Sequence, residues 1–191
     1  MGSSKKLTPR RFIVYVCSLA VLILAKPHPI LYPIGVCFIL MGEGLRLWAC
    51  GHLRKNKDVI TSGPFAHVKN PLYVGTFLIL TGFCVAASNP DYPSIYILYV
   101  GYPIFLLAFF AYYFPYKVRV EGDRLRRRFG DRFDEYDKNV PNFFPRLTAY
   151  KTSDVRFNVK LLSENSEYGT LTWVILGSLI VYIKFYFDLR P

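Results

Sequence analysis

Stretches of this chain that are apolar enough to cross a membrane recur along its length, and no other feature limits the fold so strongly. They fall at about 12–25, 30–50, 72–87, 94–114 and 169–187, each near the ~17–25 residues that a helix needs to cross ~30 Å of hydrocarbon. Stretches 12–25 and 72–87 are the short ones. The chain of 191 residues is 52% hydrophobic yet carries 24 Lys and Arg and a formal charge of +11. Such a mixture sorts into apolar spans and basic loops rather than into one soluble core. The predicted fold class is therefore all-α, a polytopic helical membrane protein of about five transmembrane helices. With no internal repeat or Ser/Gly linker to divide it, 1–191 is read as a single domain.

Charge sets the expected orientation. Phe12–Ala25 follows Lys5, Lys6, Arg10 and Arg11, as the core of a secretory signal would. It then runs through Lys26-Pro27-His28-Pro29 into the next apolar stretch with no small-x-small cleavage pattern, so it is read as a retained span. Of the Lys and Arg residues, Lys26, Lys184 and Arg190 fall on one side, and the rest cluster at the N-terminus, around 46–69 and across 117–160. Those clusters are placed in the cytoplasm, with Lys26–Pro29, Ser88–Ser94 and the C-terminus outside. The lack of organelle signals points to a bacterial inner membrane. Topology and attraction to anionic headgroups account for the basic surface, so membrane lipids are expected as partners and nucleic acid is not. Cys17, Cys37, Cys50 and Cys84 lie within or at the ends of spans, with no CxxC or His/Cys spacing. They are read as reduced packing residues, and no metal site is expected.

The informative parts are the cytoplasmic segments 51–71 and 115–160. In the second, Val118, Leu125, Phe129, Phe133, Tyr136 and Val140 recur at helical spacing, while Arg124, Arg126, Arg127, Arg128 and Arg132 occupy much of the opposite face. This predicts a cytoplasmic amphipathic helix with its stripe turned inward. Gly130-Asp131 should break it, with Asp131 capping a second short helix.

Three groups of residues could carry chemistry. The run Ser62-Gly63-Pro64-Phe65-Ala66-His67-Val68-Lys69-Asn70-Pro71-Leu72-Tyr73-Val74-Gly75 leads from the first segment into a span. Asn70 is suited to cap the helix and Pro71 to begin it, leaving a helix N-terminus toward the cytoplasm, with His67, Lys69, Asn70 and Tyr73 as nearby donors. Gly42-Glu43-Gly44-Leu45-Arg46-Leu47-Trp48 lies inside a span, where ionisable groups are costly and pair or face a cavity. Glu43 and Arg46, three apart, are placed to pair. The flanking glycines suit either close helix packing or a ligand. In Lys117-Val118-Arg119-Val120-Glu121-Gly122-Asp123, with Arg132, Tyr136 and Pro145-Arg146 beyond, Glu121 can accept from a ribose or ammonium and the arginines can hold a carboxylate.

These segments resemble the isoprenylcysteine carboxyl methyltransferase family and the related phospholipid methyltransferases, from about Gly42 to Arg146. The matching motifs are GExLRxWA at 42–49, SGPFAHVKNPLYVG at 62–75 and ExxxLxxxFGxxFxxYxxxVPxxxPR from Glu121 to Arg146. The resemblance implies an integral membrane enzyme that transfers a methyl group from S-adenosylmethionine to a lipophilic acceptor, leaving S-adenosylhomocysteine. The acceptor, arriving sideways from the bilayer, would be an isoprenylcysteine-like carboxylate or a lipid amine, with a small hydrophobic thiol or acid also open. By motif position it puts His67, Val68, Lys69, Asn70, Pro71, Tyr73 and Gly75 at the cofactor, with Glu121 and Tyr136 on its other side. Glu43 and Arg46 are expected to orient the acceptor, making Glu43, Arg46 and Glu121 the expected catalytic set. The sequence departs from the family at Asn70, where many members have His, and at Gly122, where a second acidic residue is lost. Two other readings stand beside this one: an NADPH-dependent membrane reductase, since sterol reductases resemble the same half, and a non-catalytic lipid-binding scaffold.

Overall fold

The computed structural model describes residues 19–54, 58–90, 93–151, 155–165 and 167–188. Residues 12–18 of the first expected span, and Cys17 with them, lie outside the described residues; residues 19–24 are helical. Helix α1 spans Leu31–His52, and a 3-10 turn follows at Gly63–Ala66. Helix α2 is Pro71–Ala86, α3 is Ile97–Phe129, α4 is Asp131–Asn139, α5 is Lys160–Glu164 and α6 is Glu167–Asp188. Among the described residues there is no strand. Among the described residues three helices, α1, α3 and α6, are long and apolar enough to cross a membrane. Helix α2 is apolar but has 16 residues, about 24 Å of rise at ~1.5 Å per residue. The structure thus gives an all-helical membrane protein without establishing five spans.

Paired glycines bring α1 and α2 together antiparallel. A Cβ on Gly42 would come within 2.6 Å of the Gly75 carbonyl oxygen, and one on Gly82 within 2.6 Å of the Gly35 carbonyl oxygen. In lipid, where apolar side chains gain little by leaving the solvent, such close backbone approach supplies the dispersion contacts that hold helices together. Helix α6 closes a trio with them. Tyr32 stacks on Phe185 at 4.1 Å, and Val174 packs with Ile39 and Ile79. Helix α3 lies along the other side of α2, where Thr81 meets Tyr102 at 3.3 Å, Phe77 stacks on Phe105 at 5.8 Å and Tyr73 meets Tyr113 at 6.1 Å.

The expected span at 94–114 and the amphipathic segment after it form one unbroken helix of 33 residues. Pro103 and Pro115 lie inside it. A proline ring clashes with the carbonyl four residues back and supplies no N–H. Here wider π-type turns at Ile97–Gly101 and Ala108–Tyr113, just ahead of each proline, relieve that conflict. The helix stops at Gly130, which has φ 52, a left-handed conformation that favours glycine. Gly130 is also the residue that precedes α4; Asp131 lies in the first turn of α4 and makes no capping bond. The inward stripe forms as expected: Phe133, Tyr136 and Val140 are buried with Leu125, Phe129, Val59 and Tyr150 around them.

The loops fall on two sides. Lys26 N–H donates to Ala87 O at 3.0 Å and His28 N–H to Ser88 O at 3.2 Å, so the segments expected outside meet each other. Lys184 reaches the same end, donating to the carbonyls of Leu22 and Ile23 at 2.7 Å and Ala25 at 3.1 Å. At the opposite, basic end, residues 53–54 and 58–73, the last turns of α3, α4 and 141–151 converge.

Candidate active site

At this convergence lies a cavity of about 350 Å³, within the ~300–1,000 Å³ typical of small-molecule sites. Leu53, Arg54, Asp58, Val59 and Ile60 line one side; the 3-10 turn supplies Phe65; and the approach to α2 and its first turn supply Lys69, Asn70, Pro71, Leu72 and Tyr73. Across from them stand Val118, Glu121, Gly122, Arg124 and Leu125 of α3, Phe133, Tyr136 and Asp137 of α4, and Asn142. Six of the residues singled out from sequence, Lys69, Asn70, Pro71, Tyr73, Glu121 and Tyr136, therefore share one cavity.

Hydrogen bonds fix its floor. The Tyr136 hydroxyl donates to Phe65 O at 2.8 Å and is buried. Burial pushes the phenol above its ordinary range, and the adjacent Asp137 carboxylate adds to the shift, so Tyr136 stays protonated and acts as a donor. Lys69 is half-buried: its N–H donates to Pro141 O at 2.9 Å, and its ammonium donates to Asp137 O at 2.9 Å and pairs with the Asp137 carboxylate. Asn70 stands at the N-cap of α2 and Pro71 begins the helix, as expected, but the Asn70 side-chain amide donates to Asn142 O at 3.3 Å and makes no capping bond. Glu121 is paired with Arg124 at the rim, where both side chains are partly exposed.

Other expected residues lie elsewhere. His67 Nδ1 is bonded to Arg146 O at 2.9 Å, and Arg146 N–H returns to His67 O at 3.0 Å, a clasp outside the cavity lining. Val68 is buried core. Gly75 packs against α1, where a Cβ would meet the Gly42 carbonyl oxygen at 2.7 Å. Gly42 serves the same contact, whereas nothing lies within 4 Å of a Cβ placed on Gly44.

The expected Glu43–Arg46 pair does not form. Arg46 reaches Glu167 instead, Nε to Oε1 at 2.8 Å and Nη2 to Oε2 at 2.9 Å, and also donates to Thr76 Oγ1 at 2.6 Å, Leu72 O at 3.2 Å and Thr170 Oγ1 at 3.3 Å. The planar guanidinium fork matches a carboxylate presented from α6 better than one on its own helix. Glu43 is buried, and neither of its carboxylate oxygens has a hydrogen-bond partner among the described residues. Neither Glu43 nor Arg46 lines the cavity, although Leu72, which Arg46 holds, does. Asp58, Asp137, Asn142 and Glu167 were not singled out. Asp137, next to Tyr136 and opposite in charge to Lys69, carried the clearest signal. Among the described residues no group of three or more His, Cys, Asp or Glu side chains is placed to hold a metal ion.

Fold and cavity together define a helical, membrane-protein-like chain with a small-molecule-sized cavity on its basic side. The chain is 29% identical over 153 residues to the nickel-cobalt-cadmium resistance protein NccN of Alcaligenes xylosoxydans xylosoxydans and 27% over 155 residues to the cobalt-zinc-cadmium resistance protein CzcN of Cupriavidus metallidurans. It is 29% identical over 130 residues to the protein-S-isoprenylcysteine O-methyltransferase of Xenopus laevis. These matches cover 79%, 80% and 62% of this chain, and 66%, 66% and 42% of the relatives, so the chain spans less than two thirds of each relative's length. No family model matches the chain, and no solved structure matches it. Two further isoprenylcysteine methyltransferases, of Schizosaccharomyces pombe and Tribolium castaneum, are 30% and 28% identical to it over 96 and 130 residues.

Proposed function

We propose that the protein transfers a methyl group from S-adenosylmethionine to a lipophilic acceptor, with the cofactor held in the cavity between α2, α3 and α4. The observation that carries this reading is the meeting of Lys69, Asn70, Pro71 and Tyr73 with Glu121 and Tyr136 around one small-molecule-sized space. The chemistry of the lining fits the cofactor. Asp58 and Glu121 can accept from an ammonium or ribose hydroxyls, Arg54 and Arg124 can hold a carboxylate, and Phe65, Val118, Leu125 and Phe133 offer apolar walls for a nucleobase. The rim pairs Glu121–Arg124 and Arg132–Asp58 are solvent-exposed, and pairs of this kind contribute only ~0–1 kcal/mol. Exchanging them for contacts to a ligand therefore costs little.

When bound, S-adenosylmethionine supplies an electrophilic methyl group on sulfonium, and S-adenosylhomocysteine is the product. The protein's own contribution is alignment and exclusion of water. The Tyr136 hydroxyl and the Lys69–Asp137 pair hold the floor rigid, and Asn70 is kept in place by Asn142. An acceptor carboxylate arrives ionised and needs no base, whereas an amine acceptor must give up a proton, for which Glu121 is the nearest cavity carboxylate on α3. Arg46, tied to α2 and α6, is assigned to helix assembly rather than to the acceptor. Calorimetry of S-adenosylhomocysteine binding to the detergent-purified protein tests the reading. Micromolar binding that is lost in Asn70→Ala and Glu121→Ala supports it, and absence of binding in the unaltered protein overturns it.

The names of NccN and CzcN favour a second reading, a membrane component of resistance to metal cations. Expression in a cobalt-sensitive bacterial host tests it: growth in cobalt no better than with empty vector sets it aside.

A further inference from the structure

The loop after α4 packs between α2 and α3 beside the cavity, toward the apolar lengths of both helices. One helical turn beyond the lining residue Tyr73 on α2 is Phe77, and one turn before the lining residue Val118 on α3 is Phe114. Between them sits Phe143, next in sequence to the lining residue Asn142. Its ring centroid is 5.4 Å from that of Phe77 and 5.1 Å from those of Phe110 and Phe114. The segment is pinned on both sides of this ring, by Lys69 N–H on Pro141 O at 2.9 Å and Arg146 N–H on His67 O at 3.0 Å. Phe144 and Leu147, on the same segment, are 78% and 99% exposed, as apolar residues directed at lipid would be.

We propose that Phe143 is the movable partition between the cavity and the bilayer, and that a single hydrocarbon chain reaches the cavity by taking its place between α2 and α3. The identity of that chain, the acceptor's, rests on the methyltransferase reading; the partition itself rests on the geometry. The ring is held by aromatic contacts that a hydrocarbon chain can replace with equivalent dispersion contacts, whereas water or a polar headgroup cannot. Anchors at Pro141, Asn142 and Arg146 leave Phe143 to Pro145 as the part that swings, without disturbing α2 or α3. The bulk of residue 143 then sets how readily a chain is admitted.

Fluorescence quenching tests this without turnover. With Trp48 and Trp173 changed to Phe, Tyr73→Trp places one reporter on the cavity wall, and the protein is reconstituted in phosphatidylcholine brominated along its acyl chains. Quenching should be weak with Phe143, rise several-fold with Phe143→Ala, and be intermediate with Phe143→Leu. Equal quenching in all three overturns the partition. If the alanine variant loses its helical circular dichroism, the leucine variant decides by the same comparison. S-adenosylhomocysteine calorimetry on the Phe143 variants without the reporter separates the two ideas. A quenching rise with no cofactor binding supports the partition and overturns the cofactor reading, whereas equal quenching with binding retained overturns the partition alone.

Discussion

The Arg46 guanidinium grips the Glu167 carboxylate through two bonds, at 2.8 and 2.9 Å, and so ties α1 to α6 across 121 positions of sequence. The same guanidinium holds Thr76 and the Leu72 carbonyl of α2, which makes it the junction of three helices. Removing one partner of a buried pair leaves an uncompensated charge, at a cost of about 3–5 kcal/mol, whereas replacing both by apolar residues is often neutral. Arg46→Ala should accordingly lower the thermal unfolding midpoint in detergent more than Arg46→Met combined with Glu167→Leu. A double variant less stable than the single one contradicts this account.

Glycines two positions apart on α1 should respond in opposite ways. Gly42→Ala drives a methyl group into the Gly75 carbonyl oxygen at 2.6 Å and the Ile79 side chain at 2.8 Å, and must push α2 away. Gly44→Ala meets nothing within 4 Å and gains helix propensity, up to ~1 kcal/mol. Thermal melts should show the first variant destabilised and the second unchanged or slightly stabilised.

Lys184 donates to three carbonyls at the end of the helical stretch 19–24, as a cation does at a helix C-terminus. Lys184→Met keeps the apolar stem and loses those bonds. The contacts to Leu22 and Ala25 are part-buried and that to Ile23 is exposed; an unpaired acceptor costs up to about 1–3 kcal/mol as it becomes buried, so residues 19–25 should exchange amide hydrogens faster in this variant while α2 is unaffected. Unchanged exchange there would show that the lysine is dispensable.

The buried Tyr136 phenol titrates above the ordinary tyrosine value of 10.0. A raised folded value means that its contribution to stability is complete below about pH 10 and is lost as pH climbs toward the folded value. Tyr136→Phe should cost about 0.5–1.5 kcal/mol at neutral pH through the lost bond to Phe65 O and should flatten the alkaline loss of stability. Melting midpoints measured from pH 7 to about pH 11 in both proteins give the comparison; parallel curves would assign the alkaline loss to other groups.

How far the sequence foretold this arrangement depended on whether the signal was periodic. The stripe from Val118 to Val140 recurs at helical spacing, and its last members are the buried ones. Lys69, Asn70, Tyr73, Glu121 and Tyr136 could be singled out because donors and acids crowd short motifs, and they do line one cavity. Partner choice was another matter. Spacing suggested Glu43 for Arg46, because helical period reveals neighbours on one helix and is blind to a carboxylate on α6. His67 shares its motif with Lys69, yet it faces Arg146, since the 3-10 turn at Gly63–Ala66 breaks the periodicity by which facing is read. Asp58 and Asn142 sit in irregular segments, where no period exists.

Helix α3 is one rod that serves both as a lipid-facing span and as a wall of the cavity, through Val118, Glu121 and Leu125. At ~1.5 Å per residue its 33 residues reach about 50 Å. Transmembrane helices adjust their tilt to the thickness of the surrounding hydrocarbon. A change of about 5° in so long a rod carries its far end through about 4 Å, more than the width of a hydrogen bond. A bilayer that altered the tilt of α3 would therefore move one wall of the cavity.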